Sequence, residues 1–282
     1  VGIPGLVTRR LPVHDHRFLV AWTIAGSGIA AFIASLLVSI FTSASVIGAW
    51  LITGIFSAVL AWPIHHFLSL SKRELQPAQT SMPDLACSTA NPSATQWSRP
   101  LKLLAASAFF FGAAQAAVVV YYPLLLITKF DISQALVQRS FSSLGLGYLI
   151  GAIAVGFLPH RYTTDALMTM SASIGIAGVW LCVVSPNLLS ASLGGFLFGL
   201  WNGSMISLLL DRINQSSEAQ HARVTWSRFS IILSLGFTIS ITCLSPISNN
   251  NVVMIIWIGL WLTLIHLSCQ AMSRHLFSLR TH

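Results

Sequence analysis

Residues 103–128 form the stretch LLAASAFFFGAAQAAVVVYYPLLLIT, which contains no charged side chain. The hydrocarbon core of a bilayer is about 30 Å thick, and a helix needs roughly 20 apolar residues to cross it. The segment must be helical, because backbone amides in hydrocarbon have to be hydrogen-bonded within their own segment. The stretch therefore predicts a transmembrane helix. The other apolar stretches of the chain can be compared with it in length.

Seven further stretches have a similar length and composition. The predicted spans are 18–41, 46–69, 103–128, 140–158, 166–185, 190–210, 229–246 and 252–272. Composition agrees, because 55% hydrophobic and 8% charged residues, with a mean hydropathy of +0.77, leave too little polar surface for a water-soluble domain. We predict an all-α polytopic membrane protein with eight transmembrane helices.

Basic residues are sorted to one side of the predicted membrane. Thirteen of the fifteen Lys and Arg residues lie in alternate connections or at the termini, whereas the other connections hold only Lys129 and Arg139. Basic loops are retained in the cytoplasm during insertion, so both termini are predicted to be cytoplasmic. This sorting explains the net charge of +8 without nucleic acid as a partner. Short loops with such sorting favour a bacterial inner (plasma) membrane.

Residues 70–102 separate the first two predicted spans from the other six. This connection is rich in Pro, Ser, Gln and Thr, a composition that does not bury apolar surface. After it, the triplets of spans in 103–185 and 190–272 have similar lengths. Because each triplet has an odd number of spans, the second must cross the membrane in the opposite sense to the first. This is the geometry of an inverted repeat.

A six-helix bundle of two inverted triplets, preceded by a basic connection and further helices, resembles the major facilitator superfamily of transporters. Residues 8–37, TRRLPVHDHRFLVAWTIAGSGIAAFIASLL, are similar to the loop and fifth helix of bacterial members. Residues 49–64, AWLITGIFSAVLAWPI, are similar to a sixth helix, and the two pieces together are similar to the YbfB-like branch.

The resemblance implies a domain organisation for the chain. Residues 1–69 would end the N-terminal transporter half, 70–102 would be a cytoplasmic linker, 103–272 the C-terminal six-helix half and 273–282 a cytoplasmic tail. The eight spans would then be the last eight of such a transporter. With Val1 at the start of the sequence, we expect the first four helices to be missing.

The cytoplasmic signature of the superfamily is preserved only in part. Gly156 and Arg161 match its Gly and its basic residue. His160 stands where the signature has an acid, and Thr163 and Thr164 stand where it has Gly and a further basic residue. We interpret this segment as a remnant of the motif, of the kind expected in a second half.

Small residues recur at four-residue spacing in several spans. The sets are Gly195, Gly199 and Gly203; Gly147 and Gly151; and Ala108, Gly112 and Ala116. Small side chains let helix backbones approach closely in lipid, which supplies no hydrophobic drive for association. The pattern predicts helix packing, and a smooth face that lets helices rock remains an alternative.

Polar side chains inside hydrocarbon are costly and mark candidate sites. We predict a substrate pathway lined by Gln115, Tyr121, Tyr122, Trp201 and Asn202, because their spans would be the seventh and tenth helices of the family, which line its central cavity. Gln115 and Tyr122 are seven residues apart, which places them on one helical face. Interhelical hydrogen bonds by the amides and interfacial positions for the tyrosines remain open. His266 is expected to face lipid or a neighbouring helix.

Other function classes find little support in the sequence. No Asp, Glu, Lys or Arg lies at the centre of a predicted span, and no Ser/His/Asp set or cluster of metal ligands occurs at depth. We therefore expect no enzyme, no metal site and no cofactor. The expected partners are the lipid bilayer and a small solute of unknown identity, and a co-transported ion remains open.

Three hypotheses follow. The first is secondary transport of a small solute by alternating access, in a chain without the first four helices. The second is an eight-span membrane protein that functions in its own right. The third is a membrane scaffold or receptor without transport, which the short loops disfavour because a receptor is expected to carry a sizeable soluble domain.

Overall fold

The computed structural model describes residues 16–41, 51, 54–55, 59, 97–158, 162–216, 219–248 and 251–278. The described residues are organised as helices, and no strand is assigned among them. The helices are α1 (His16–Phe41), α2 (Arg99–Val119), α3 (Tyr122–Phe130), α4 (Gln134–Phe157), α5 (Thr164–Val184), α6 (Leu188–Ser216), α7 (Ala219–Ser248) and α8 (Val252–Ser278).

Six helical segments in the described part of the chain are long and apolar enough to cross a membrane. They are Arg99–Phe130, Gln134–Phe157, Thr164–Val184, Leu188–Gln215, Val224–Ser248 and Val252–Leu276. The expected all-helical membrane fold is therefore confirmed. The first predicted span corresponds to the shorter apolar segment Ile24–Ser39, and the second, 46–69, lies outside the described residues except for four positions. The count of eight spans stays a prediction.

The helices extend beyond the predicted spans. α2 begins at Arg99 instead of 103, α4 begins at Gln134 instead of 140, and α8 continues to Ser278 instead of ending at 272. An apolar run marks only the part of a helix that lies in hydrocarbon, whereas the backbone hydrogen bonds continue into the interface, where polar side chains are solvated. The last residues of the predicted linker and most of the predicted tail are therefore helical.

The first span of the six-helix unit contains a turn in its second half. α2 ends at Val119, and α3 begins at Tyr122 with Pro123 in its first turn. Proline has no N–H to donate to the preceding turn and its ring clashes with that turn, so it is tolerated best in the first turn of a helix. The run 103–128 is thus one membrane span with a turn at Val120 and Tyr121, where α2 ends and α3 begins.

The helix contacts repeat when the two triplets are exchanged. The main pairs within the six-helix unit are α4 with α6, α2 with α7, α5 with α6, α2 with α8 and α5 with α8. Exchanging α2 with α6, α4 with α7 and α5 with α8 maps this set of pairs onto itself. The packing therefore has a pseudo-two-fold pattern.

Glycines bring α4 and α6 into backbone contact. A Cβ atom added at any of four glycines would lie 2.0 to 2.1 Å from a carbonyl oxygen of the opposite helix; these are Gly147, Gly151, Gly199 and Gly203. Only the absence of a side chain permits this approach, which is favourable in lipid because it maximises van der Waals contact. Gly195 contacts a different residue, since a Cβ there would lie 2.9 Å from the Tyr122 hydroxyl oxygen.

A second seam of the same kind joins α2 and α7. A Cβ at Gly112 would lie 2.1 Å from the Leu233 carbonyl oxygen, and one at Gly236 would lie 2.1 Å from the Phe109 carbonyl oxygen. These two helices are the counterparts of α6 and α4 under the exchange of triplets. The two seams are therefore related by the same pseudo-symmetry.

α1 packs against the six-helix unit through α4. A Cβ at Gly28 would lie 2.5 Å from the Leu149 backbone nitrogen, and one at Gly145 would lie 2.6 Å from the Phe32 backbone nitrogen. Gly26, half a turn away on α1, has nothing within 4 Å of its added Cβ. One face of α1 thus lies in backbone contact with α4.

Candidate functional site

Gln115 on α2 and Asn202 on α6 form a buried amide pair. The Gln115 Nε2 donates to the Asn202 Oδ1 at 3.1 Å. Asn202 is 1% exposed and Gln115 is half-buried. The bond uses one hydrogen of Gln115 and the oxygen of Asn202, so the Asn202 nitrogen and the Gln115 oxygen keep capacity for further hydrogen bonds. Two residues predicted from sequence as site candidates are therefore in direct contact.

Trp201 precedes Asn202 but points into the packed interior. Its ring lies 4.9 Å from that of Phe111, 5.1 Å from that of Phe198 and 5.7 Å from that of His266, measured between centroids. Gly175 on α5 leaves room for the indole, since a Cβ there would lie 2.4 Å from the Trp201 Cδ2. Successive residues on a helix point in different directions, so Trp201 and Asn202 face different neighbours.

The two tyrosines bond to carbonyl groups of other helices. The Tyr122 hydroxyl donates to the Ala191 carbonyl oxygen at 2.8 Å, and the Tyr121 hydroxyl donates to the Ile241 carbonyl oxygen at 3.3 Å. Tyr122 begins α3, beyond the interruption at 120–121. A turn at 120–121 lies between Gln115 and Tyr122, and their position on one helical face stays a prediction.

His266 on α8 is buried against α2. It is 1% exposed, and its Nδ1 lies 2.9 Å from both the carbonyl oxygen and the Oγ of Ser107. The Ser107 hydroxyl also donates to the His266 carbonyl oxygen at 3.3 Å. Of the two expected surroundings for His266, lipid or a neighbouring helix, the structure shows the second.

His266 belongs to a polar stripe that the sequence reasoning did not recognise. Thr263, His266, Gln270 and Ser273 are at most 4% exposed and follow one another at spacings of three or four residues. This spacing places them on one face of α8. Ser273 also bonds to α2, donating to the Pro100 carbonyl oxygen at 2.8 Å. The spacing was the available signal, since a regular polar face within an apolar helix predicts contact with another helix.

Charged side chains meet where α5 begins and α6 ends. The Asp165 carboxylate lies 3.3 Å from the Arg212 Nε. The Thr164 hydroxyl and the Gln215 Nε2 donate to the same carboxylate oxygen of Asp211, at 2.8 and 3.0 Å. Two adjacent residues of α6 thus hold two adjacent residues in the first turn of α5. The ion pair is partly solvated, so its contribution is about 0 to 1 kcal/mol.

A cavity of about 380 Å³ lies at the other end of the bundle, between α3, the end of α5, the end of α7 and the start of α8. The Lys129 ammonium donates to the carbonyl oxygen of Val183 in the last turn of α5. A cation at a helix C-terminus is favoured by the helix dipole. Lys129 therefore has a structural partner, and the amide pair is not among the residues that line this cavity.

Only one of the two residues that match the cytoplasmic signature lies in the described part of the chain. Gly156 lies in the last turn of α4, and Arg161 lies outside the described residues. Within the described ranges, no group of three or more His, Cys, Asp or Glu side chains could hold a metal ion.

Comparison with known proteins gives one match. The family model described as Major Facilitator Superfamily matches residues 1–241. No curated protein and no solved structure matches the chain. The family match covers α1 to α6 and most of α7.

Proposed function

The chain belongs to the major facilitator superfamily, and on that premise we propose that it moves a small solute across the membrane by alternating access, as a secondary transporter. The resemblance drawn from the sequence is confirmed at the level of the superfamily, and the narrower YbfB-like branch stays a prediction. Members of the superfamily are transporters, not enzymes, which fits the expectation that this protein catalyses no reaction.

The Gln115–Asn202 pair is the observation that carries the proposed solute site. It joins α2 to α6, the two helices that correspond to each other under the pseudo-two-fold exchange, with Asn202 buried and Gln115 half-buried. Transporters with internal repeats bind solute at the interface of those repeats. A buried amide pair at that interface is suited to a solute, because polar groups within the membrane usually serve a pathway or join helices.

The chemistry of the pair favours a small neutral solute. The bond leaves donors on Asn202 and an acceptor on Gln115, which suit a solute that both donates and accepts hydrogen bonds. The polar contacts described around the pair involve no charged group. We propose that Tyr121, Tyr122 and Trp201 stabilise the helices that line the pathway. The two tyrosine hydroxyls bond to other helices, and the Trp201 ring packs against other helices.

The contact between α1 and α4 supports the proposed movement. If α1 ends the N-terminal half and α4 belongs to the C-terminal half, the glycine contacts at Gly28 and Gly145 lie between two halves that move relative to each other. Helices that contact each other through glycine have no interlocking side chains at the contact, so they can slide past each other. We propose that this contact is one hinge surface of alternating access.

We also propose the eight-span topology, with both termini in the cytoplasm of a bacterial inner membrane. The prediction is tested with alkaline phosphatase fused after Asp131, between α3 and α4, and after Tyr162, between α4 and α5. The enzyme folds only outside the cytoplasm, so we expect activity for the first fusion and none for the second. The opposite result would show that the chain has the inverted topology. Equal activities of the two fusions would show that α4 does not cross the membrane.

The solute site is tested by binding to the purified chain in lipid nanodiscs. Radiolabelled hexoses, disaccharides, neutral amino acids and neutral dyes are the probes, with thermal stabilisation as a second readout. We expect saturable binding of at least one probe and an affinity about tenfold lower in Gln115→Ala, as for a lost hydrogen bond in a buried site. Uptake of the same probe into proteoliposomes then tests transport.

Gln134→Ala is the matched control for this experiment. Gln134 is an exposed glutamine in the first turn of α4, so the substitution removes the same group without touching the amide pair. We expect its affinity to equal that of the wild type. Equal affinities in Gln115→Ala and Gln134→Ala would exclude the amide pair as the solute site.

A further inference from the structure

One face of α2 contacts both α6 and α8 in three successive turns. Ser107, Phe111 and Gln115 follow one another at four-residue spacing. Ser107 bonds to His266, Phe111 packs against the rings of both His266 and Trp201, and Gln115 bonds to Asn202. His266 and the amide pair are therefore linked to the same face of α2, with the Trp201 indole between them.

The contacts with Ser107 favour one tautomer of His266. A peptide carbonyl oxygen can only accept, so the 2.9 Å contact between Nδ1 and the Ser107 carbonyl oxygen is a hydrogen bond only when Nδ1 carries the proton, and we assign that tautomer. In the neutral imidazole the other nitrogen is then an acceptor. His266 thus turns one acceptor, Nε2, toward the buried surroundings of its ring.

Two buried polar atoms, on rings that lie in contact, are complementary and lack a partner within the described residues. They are the Nε2 of His266, an acceptor, and the Nε1 of Trp201, a donor. The two rings lie 5.7 Å apart between centroids, at an interplanar angle of 62°. Buried polar groups without partners are unfavourable, and apolar residues of similar size would avoid that cost. The presence of both groups in neighbouring rings therefore calls for an explanation.

We propose that His266 is a positioning residue for the amide pair: its Nε2 accepts a hydrogen bond from a water molecule that itself accepts the indole N–H of Trp201, and this bridge holds Trp201 and the adjoining Asn202 against Gln115. A bridging water is feasible because ordered waters commonly satisfy otherwise unpaired buried groups. The effect on solute binding rests on the function proposed above for the amide pair, whereas the link between His266 and Trp201 does not.

A purely structural role for His266 makes a different prediction. In that case the bond to Ser107 would be sufficient, because it joins α8 to α2. Two amide substitutions distinguish the two roles, because each side chain reaches the position of only one ring nitrogen. His266→Asn places its amide at the position of Nδ1 and keeps a donor for Ser107. His266→Gln places its amide at the position of Nε2 and keeps an acceptor for Trp201. Each variant retains one of the two bonds.

Hydrogen exchange of the Trp201 indole N–H is the first test. The full chain is labelled with ¹⁵N-indole tryptophan in nanodiscs, and the Trp201 signal is assigned by its loss in Trp201→Phe. We expect slow exchange in the wild type and in His266→Gln, and exchange about tenfold faster in His266→Asn, as for the loss of one hydrogen bond. The half-exposed Trp180 is the internal reference, because it packs against Trp257 instead of His266.

Equal exchange in the two variants, or faster exchange in His266→Gln, would overturn the proposal. The wild type supplies a second measurement that does not depend on a variant folding. In the ¹⁵N spectrum of labelled histidine, His266 should have a protonated Nδ1 and a hydrogen-bonded, unprotonated Nε2. A protonated Nε2 at neutral pH, or an Nε2 without a hydrogen bond, would also exclude the proposed link.

Solute affinity is the second readout and separates this proposal from the function on which it partly rests. With a probe that binds the wild type, we expect His266→Asn to lower the affinity about fivefold and His266→Gln to lower it less. If the exchange rates differ as expected but both affinities match the wild type, His266 does not position the site. If Gln115→Ala also leaves the affinity unchanged, the amide pair is excluded as the solute site while the link between His266 and Trp201 stands.

Discussion

Replacing Gly199 with alanine is expected to force α4 and α6 apart and to leave little folded protein in the membrane. The added Cβ would lie 2.0 Å from the Leu144 carbonyl oxygen and 2.9 Å from the Tyr148 backbone nitrogen. Backbone atoms of a packed helix cannot rotate away as a flexible side chain can. Overpacking typically costs about 1 to 3 kcal/mol, and we expect the upper end or more here, because the neighbouring glycine contacts must open together.

Gly26→Ala is the matched control, because it makes the same chemical change on α1. Nothing lies within 4 Å of the Cβ added at Gly26, which is exposed. Alanine has a higher helix propensity than glycine by up to about 1 kcal/mol, so this variant should be as stable as the wild type or slightly more stable. The two substitutions therefore have effects of opposite sign.

The measurement is the yield of monodisperse protein by fluorescence-detected size exclusion, followed by the midpoint of thermal unfolding. We expect Gly199→Ala to be lost at the first step or to unfold at a markedly lower temperature. If Gly199→Ala and Gly26→Ala behave alike, then α4 and α6 do not pack through their glycines. Gly112→Ala should resemble Gly199→Ala, because it lies in the related seam between α2 and α7.

Replacing both members of the amide pair is expected to weaken solute binding while sparing the fold. Gln115→Leu alone leaves the Asn202 oxygen without its partner, and Asn202→Leu alone leaves the Gln115 nitrogen without its partner. An orphaned buried polar group costs about 1 to 3 kcal/mol, whereas replacing both partners by apolar groups can be nearly neutral. The double variant should therefore be more stable than either single variant.

Stability and binding measured on the same four proteins distinguish a solute site from a simple helix contact. We expect the unfolding temperature to fall in each single variant and to recover in the double variant, whereas the affinity for the probe solute falls about tenfold in each single variant and does not recover in the double variant. Recovery of both stability and binding in the double variant would show that the pair only joins α2 to α6. An additive loss of stability would mean that the two side chains are not coupled.

Small residues show how far spacing along one helix can predict packing. The four-residue spacing of Gly147 with Gly151 and of Gly199 with Gly203 identified four residues that meet across one seam. The same spacing included Gly195, which instead leaves room for the Tyr122 hydroxyl. Spacing selects a face of a helix, but it contains no information on the neighbour that covers each position.

Polar residues, too, could be identified from the sequence, whereas their neighbours could not. Gln115 and Asn202 were identified as site candidates because amides are costly in hydrocarbon, and they lie in contact. Tyr122 was placed on the face of Gln115 because the two residues are seven positions apart, and the structure has a turn between them at 120–121. The face of α8 that contains His266 was visible as a polar stripe, but its partner Ser107 lies 159 positions away in the sequence.

The sequence by itself determined that this is a helical membrane protein of the major facilitator superfamily. Uncharged runs long enough to span hydrocarbon fold as helices, because every backbone amide must be hydrogen-bonded within its own segment. Only the tertiary structure decided that α4 lies on α6, that Gln115 meets Asn202, and that His266 lies between Ser107 and Trp201. Helical periodicity gives the direction of a side chain from its own axis, whereas the identity of its neighbour depends on how all the helices pack together.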